Sequence, residues 1–417
     1  MSKYDKNKIF QFVLLIIGIV ILFCFKYNSS QLNTIQRINE ISNANNINQK
    51  NVSPEELYNE TWNIIKNNYY KKDLNEQNWT RWRKKYKNQI KTQQDANIAI
   101  NTMLASLNDP YSKFLSKEEF EEQNNSINSK LYGIGINIAS ISGKIYVINV
   151  LKGTPADNQG ILSGDIILKI NNTDISGESL YYAAQLIRGD KNAVLELELL
   201  RGNEILNKSI KREEIKVKTV EAKKLDENIG YIRISSFIGL DTTKEFVVAL
   251  NRLKDTKGLI LDLRGNSGGL FQNAIIIANL FLKHGTIVRV IARHDKKNIY
   301  KATHDGCIYE KPLAILIDED SASASEILSS ALHDNNRAVL IGTRTFGKGL
   351  VQKVFPMPNQ TGLNITIARY LTPNGKDINN TGIKPDYYVT IAHNDFINNN
   401  DPQLNQAKTY LEKEFSK

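Results

Sequence analysis

The stretch Pro312–Asp334, PLAILIDEDSASASEILSSALHD, sets a short apolar run directly against a helical pattern. Three serines, Ser321, Ser323 and Ser325, occupy alternate positions in the turn between them. The order strand, turn, helix recurs around it. NIGYIRISSF leads into LDTTKEFVVALNRLKD, and GLILDLRG leads into GLFQNAIIIANLFL. AVLIGTRTFGKGLVQKVFPMP and LNITIARYLTPNG then follow. Such alternation describes an α/β layered domain. The local sequence allows two readings of the serines. A nucleophile on a sharp strand-to-helix turn is exposed at a helix N-terminus, whose dipole favours an oxyanion. Ser323 to Glu326 is equally a capping box, with Glu three residues after Ser.

Two neighbouring segments bear on that choice. LILDLRGNSGGL (Leu259–Leu270) is a buried strand running into Gly265, Gly268 and Gly269. Glycines after a strand let backbone N–H groups approach a ligand, as in an oxyanion hole. A tight turn explains them as well; a phosphate loop lacks its Gly-Lys-Ser/Thr ending. Lys348 stands between Gly347 and Gly349, beside Phe346 and before Leu350 and Val351. Desolvation in an apolar pocket lowers a lysine pKa and makes it a base, with Gln352 placed to orient the amine; otherwise Lys348 is a loop lysine facing water. Histidine is the weaker base. His333 follows Ser323 by ten residues in one helix, a rise of about 15 Å, and His284, His294, His304 and His393 carry no local signature.

The segments before residue 213 have another texture. LYGIGINIAS, KIYVINVL, DIILKINN and AVLELELLR alternate apolar and polar residues between turns, with one helical pattern, GESLYYAAQLIRG. Upstream, SPEELYNETWNIIKNNYY has a Ser cap, Pro at the first helical position and early glutamates. DANIAINTMLASL is a second helical stretch before the turn NDPYSKFLS. Residues 26–52 are polar and Asn-rich, a tether. Ile9–Phe25 is apolar but for Gln11 and Gly18, and follows Lys3, Lys6 and Lys8. That length is near the lower limit of about 17–25 residues for a bilayer span. No small residues precede a cut near Phe23–Tyr27, and the lysines keep the N-terminus in the cytoplasm. The expectation is an uncleaved anchor with the rest of the chain outside.

The bulk numbers agree. A chain of 417 residues with 41% apolar and 24% charged residues is globular, with two or three folded units. Its two cysteines, Cys24 and Cys307, offer no disulfide framework, and few thiols fit an exported chain. Net charge is +10. Much of it lies in KNNYYKKDL and TRWRKKYKNQIK, without any nucleic-acid-binding signature. Solvated helix faces, or attraction to anionic lipid close to an anchor, account for it.

In this order the motifs resemble the carboxyl-terminal processing, or tail-specific, proteases. SASASEI and RAVLIGTRTFGKGLVQ are similar to that family's nucleophile and base segments, in which a lysine follows the middle serine by 25 residues. Ser323 and Lys348 have that spacing, and Gln352 matches the lysine-orienting glutamine. LDLRGNSGGL resembles the oxyanion segment and implies donors at Gly269 and Ala324, with Gly268 a close alternative. LTPNGKDINNTGIKPD resembles the closing motif of the protease domain, and DPYSKFLSKEEF the segment leading into a PDZ domain. The β-rich module itself resembles a PDZ domain. Tyr132, Gly133, Ile134, Gly135 and Ile136 would form its carboxylate-binding loop, and Tyr182 and Leu186 would line its peptide groove. Asn158 and Gln159 depart from the small and basic residues usual there. Arg188 stands where the family carries an arginine near the protease domain.

The expectation is therefore an α/β multidomain chain. Residues 1–8 are cytoplasmic, 9–25 a transmembrane signal anchor, 26–52 a polar tether and 53–117 an N-terminal helical unit. Residues 118–212 form a PDZ domain, 213–398 a crotonase/ClpP-like serine protease core and 399–417 a C-terminal helical segment. The resemblance implies a serine endopeptidase with a Ser-Lys dyad on the extracytoplasmic side of the cell membrane. Its partners would be proteins or peptides with apolar C-termini, with no nucleic acid, no metal or organic cofactor, and assembly into a homo-oligomer. Two rival classes are an inactive PDZ scaffold and an acyl-transfer or hydratase enzyme of the crotonase-like fold. An intact Ser323, Lys348 and Gln352 argue against the first, and a peptide-binding module and an anchor against the second.

Overall fold

The computed structural model describes residues 51–417 except 128–129, 142, 217, 393–394 and 396–399. The expected anchor and all but the last residues of the tether lie outside the described residues. Among the described residues no helix is long and apolar enough to cross a membrane.

The central sheet runs, in spatial order, Val220–Lys224, Ile229–Ile234, Gly258–Asp262, Leu313–Ile317, Val339–Gly342 and Tyr387–Tyr388. Its first pair is antiparallel and the others are parallel. Leu259, Leu261, Leu313, Ile315 and Ile317 face the helices Thr242–Arg252, Phe271–Asn279 and Ala324–Asp334. Ile260, Ala314 and Leu316 face Ala407 and Leu411 of the helix Pro402–Phe415. Burial on both faces is why PLAILI shows no alternation. Three loops leave the C-terminal ends of adjacent parallel strands, where open α/β sheets place ligands. They are 263–270, 318–323 and 343–349.

A second sheet joins Lys113–Leu115, Gly362–Leu371, Thr286–Ala292 and Lys296–Lys301, with Leu350–Pro356 also paired to Gly362–Leu371. The helices Pro54–Asn68, Trp79–Lys85 and Gln93–Ala105 pack on that last hairpin. Leu57, Trp62, Ile65, Trp79, Ile100 and Met103 share one core with Met357, Leu363 and Ile365. The helical unit is thus a cover for strands of the second sheet, not a body with its own interior. Ser53 caps its first helix in a reciprocal box with Glu56. At the hairpin tip Asn359 brackets Val52, accepting from its N–H at 2.9 Å and donating to its carbonyl at 3.3 Å.

The β-rich module has its own core, including Ile134, Val147, Ile167, Ala183, Leu195 and Leu197. Its strands run Ile136–Ile141, Lys144–Val150, Ile166–Ile170, Val194–Arg201 and Glu204–Lys211 in order. The helix Leu180–Ile187 lies against Ile136–Ile141. A two-stranded ribbon, Lys130–Gly133 with Glu213–Lys216, ties together the two ends of the module.

Candidate active site

The three serines have three different fates. Ser321 and Ser325 are fully buried. Their hydroxyls donate to Leu263 O and Asn266 O, each at 2.8 Å. Ser323 is only half-buried. It holds φ 54° and ψ −110°, a conformation that costs a non-glycine residue on the order of 1–3 kcal/mol. The surroundings impose it. Ala322 N–H donates to Asn266 O at 3.0 Å, and Ser323 N–H donates to Glu326 Oε2 at 2.8 Å.

Glu326 does more than close a helix start. Its buried carboxylate also accepts from Thr345 Oγ1 at 2.6 Å, Gly347 N–H at 2.8 Å and Lys348 N–H at 2.9 Å. An ionised carboxylate, which can only accept, suits all four donors. Burial pushes the Glu326 carboxyl up from its ordinary range, and these hydrogen bonds pull it back. Tyr370, fully buried on Gly362–Leu371, lies on the other side of both residues. Its hydroxyl lies 2.6 Å from Lys348 O and 3.1 Å from Ser323 O and donates toward both carbonyls. Residues 323 and 348 are thus joined through their N–H groups by one carboxylate and through their carbonyls by one phenol.

The Lys348 ammonium lies 4.6 Å from the centroid of the Tyr111 ring. Burial holds its pKa below the usual lysine value, while the Asp109 and Glu326 carboxylates work the other way. Asp109 also places Tyr111, accepting its N–H at 3.0 Å and the Ser112 hydroxyl at 2.6 Å. Gln352 stands on the strand that follows Lys348. Its amide nitrogen donates to Thr366 Oγ1 at 3.3 Å, because Gln352 and Thr366 are register partners in the hairpin.

The glycine loop treats the candidate oxyanion donors differently. Gly268 N–H is taken by Asn266 Oδ1 at 2.9 Å. Gly269 and Ala324 N–H donate to no acceptor among the described residues. A Cβ at Gly268, where φ is +101°, would lie 2.7 Å from Ala322 O and 2.9 Å from Ser323 Cβ. Only glycine lets the two turns touch. Asn266 is buried and donates to Ile234 O at 2.7 Å, holding the loop from below. His333 is not brought to Ser323. At the far end of the helix its ring bonds Asp386 at 3.1 Å and Asp334 at 3.3 Å. No cluster of His, Cys, Asp and Glu able to hold a metal ion occurs among the described residues.

In the β-rich module Gly135 has φ +85°, and a Cβ there would collide with Thr154 at 2.4 Å. Ile134 is buried, and neither Ile134 nor Gly135 N–H has an acceptor among the described residues. Tyr132 is half-buried, Tyr182 is exposed and Leu186 packs on the module core. No atom lies within 4 Å of where a Cβ would sit on Gly133, and Ile136 begins the strand beside the helix. Arg188 pairs with Glu122 at 2.8 Å, on the helix Lys117–Ile127 that leads into the module. Sequence reasoning missed the reach of Glu326 and the parts of Tyr370, Asn266 and Tyr111. Only Glu326 carried a local signal, its capping-box spacing.

A strained serine at a helix start, set against a glycine turn, is the arrangement of a serine hydrolase. Comparisons with known proteins agree. Residues 228–389 match peptidase family S41, 125–200 the PDZ domain and 51–104 the tricorn protease C1 domain. The chain is 36% identical over 341 residues to a carboxyl-terminal-processing protease of Synechocystis sp., covering 79% of each. It is 38% identical over 318 residues to carboxy-terminal processing protease CtpA of Bacillus subtilis, covering 75% of this chain and 66% of that one. The solved photosystem II D1 C-terminal processing protease aligns with TM-score 0.57 at 29% identity, covering 81% of this chain and 94% of that one. The chain belongs to peptidase family S41 as a carboxyl-terminal processing serine peptidase with a PDZ domain.

Proposed function

We propose that the chain is a membrane-anchored endopeptidase that uses Ser323 as nucleophile and Lys348 as general base, and cuts proteins whose apolar C-terminal tails its PDZ domain captures. The observation that carries this reading is the shared support of the two residues by Glu326 and Tyr370. Neutral Lys348 takes the Ser323 proton as Oγ attacks the scissile carbonyl carbon. The oxyanion that forms is held by Gly269 and Ala324 N–H. The Lys348 ammonium then gives its proton to the leaving amine. Water, deprotonated by Lys348, hydrolyses the acyl-enzyme and returns the proton to Ser323. The loop Tyr132–Ile136 receives the substrate carboxylate, with Tyr182 and Leu186 beside the extended peptide. Ile9–Phe25 anchors the chain with the catalytic part on the extracytoplasmic side.

The test compares Ser323→Ala and Lys348→Ala with the parent on a peptide bearing an apolar C-terminus. Both variants should lose cleavage and retain peptide binding. Variants that cut as fast as the parent would remove the dyad. A parent that binds but never cuts would leave a tail-binding scaffold in its place.

A further inference from the structure

The charge of the folded chain is concentrated in one place. Residues 66–91 hold nine Lys and Arg against two carboxylates, Asp73 and Glu76, a net +7. Residues 53–65 and 92–417 together net −1. All nine cations, from Lys66 to Lys91, are exposed. None is in an ion pair among the described residues.

These cations share a surface. Lys66 and Arg83 both stand over the Trp62 ring, at 4.9 and 5.2 Å from its centroid. Arg81 and Lys85 both stand over Trp82, at 5.8 and 4.4 Å. Trp62 and Trp79 exchange indole-to-carbonyl hydrogen bonds of 2.8 and 3.2 Å, which lock helix Pro54–Asn68 against helix Trp79–Lys85. Cations seated on rings are already ordered, so little side-chain freedom is lost when they meet an anionic partner.

We propose that this basic face docks on the anionic headgroups of the membrane that holds the chain. The inference rests on the anchor proposed above and on two further observations. The basic face belongs to the first folded helices after the tether. The proposed tether, residues 26–52, has 27 residues, and a coil of that length would reach on the order of 30 Å. The face is therefore held near a bilayer surface whose attraction fades within roughly 10 Å. The aromatic rings argue against a single-stranded nucleic acid. Trp62 and Trp82 are 3% and 4% exposed, covered by the cations and closed to base stacking. Docking would hold the protease beside the bilayer, so that it meets tails emerging from the membrane surface.

All three tryptophans, Trp62, Trp79 and Trp82, lie under this face, so energy transfer from tryptophan to a dansyl headgroup lipid reads its approach. The full chain is placed in nanodiscs of neutral phosphatidylcholine, or of the same lipid with a third phosphatidylglycerol. Transfer should be at least about threefold stronger on anionic discs, and should fall to the neutral level as salt rises from about 0.05 to 0.5 M. Lys84, Lys87 and Lys91 touch no ring among the described residues. Lys84→Glu with Lys87→Glu and Lys91→Glu should therefore abolish the anionic excess while short-peptide cleavage is unchanged. Equal transfer on both discs, or an excess that survives the triple substitution, overturns the proposal. So does a short single-stranded DNA that strips the face from anionic discs at equal charge. Gel filtration of the neutral discs tests the anchor separately. If they fail to retain the protein, the anchor fails, and the same transfer measured on anionic vesicles still decides the docking.

Discussion

At the scale of single residues, two groups hold what the chain separates. Ser323 and Lys348 are 25 residues apart in sequence, yet Glu326 and Tyr370 each bond to both backbones. Tyr370→Phe keeps the ring and removes the hydroxyl. Its kcat should fall about tenfold, the effect of losing one well-placed hydrogen bond in the transition state, with KM unchanged. Tyr58→Phe is the control, since it loses a buried hydroxyl-to-carbonyl bond of the same 2.6 Å length, to Trp82 O, in the helical unit. Equal losses of kcat in both variants would reduce Tyr370 to a stability residue. Lys348 gives a second prediction at this scale. Burial lowers its pKa, and in the proposed mechanism the neutral amine is the reactive form. Cleavage should therefore rise with pH through an inflection below the ordinary lysine value of 10.5. A pH profile of kcat/KM without such a limb would take Lys348 out of the proton path. These supports were only partly legible. The spacing of Ser323 and Glu326 predicts a cap, but nothing local says that the same carboxylate closes a loop on Gly347 and Lys348. The Gln352–Thr366 pairing was not legible either, because it depends on strand register, which a single segment does not display.

Among the elements, the helix Ala324–Asp334 carries Ser323 at its start and His333 in its last turn. A cation at that end meets the negative pole of the helix. The neighbouring Asp334 and then Asp386 raise the His333 pKa above its ordinary 6.5. The sign follows directly. Stability from His333 is complete below the unfolded-state pKa and is lost as pH climbs through the higher folded-state value. Urea midpoints should therefore decline across that window in the parent and stay flatter in His333→Gln. A parent whose midpoint rises with pH there would refute the latch. Elements of this kind were readable because Gly258–Asp262, Leu313–Ile317 and Val339–Gly342 are short, mainly apolar runs, each followed by a turn that carries glycine or serine. The sharing of one core by the helical unit and the protease hairpin was not. Met357, Leu363 and Ile365 look like any strand residues until Leu57 and Ile100 are seen against them.

Across the whole molecule, that shared core makes the N-terminal helices and the protease strands a single cooperative body. Ile365 is fully buried at the boundary. Ile365→Ala should cost about 2–5 kcal/mol, and tryptophan fluorescence, which reports only on the helices, should move together with circular dichroism of the protease sheet. Two separate transitions would mean that the helical unit unfolds alone. The PDZ module has its own core and is joined through the ribbon at its ends, through Glu122 with Arg188, and through the Leu240 N–H to Ile127 O bond. Among the described residues its position is thus set by few bonds, and its interior by many contacts.

The bracket of Asn359 on Val52 also has a mechanical meaning. The hairpin it tips is a lever, roughly 20 Å long for seven paired residues. Its far end carries Tyr370, and Lys348 lies two residues before its first strand. A pull on the chain at Val52 reaches that lever at its tip through Asn359, and reaches the helical core through the packing of Val52. Load at Val52 is therefore delivered in part to the strands that frame the proposed catalytic pair, which makes the hairpin an element through which tension and chemistry meet.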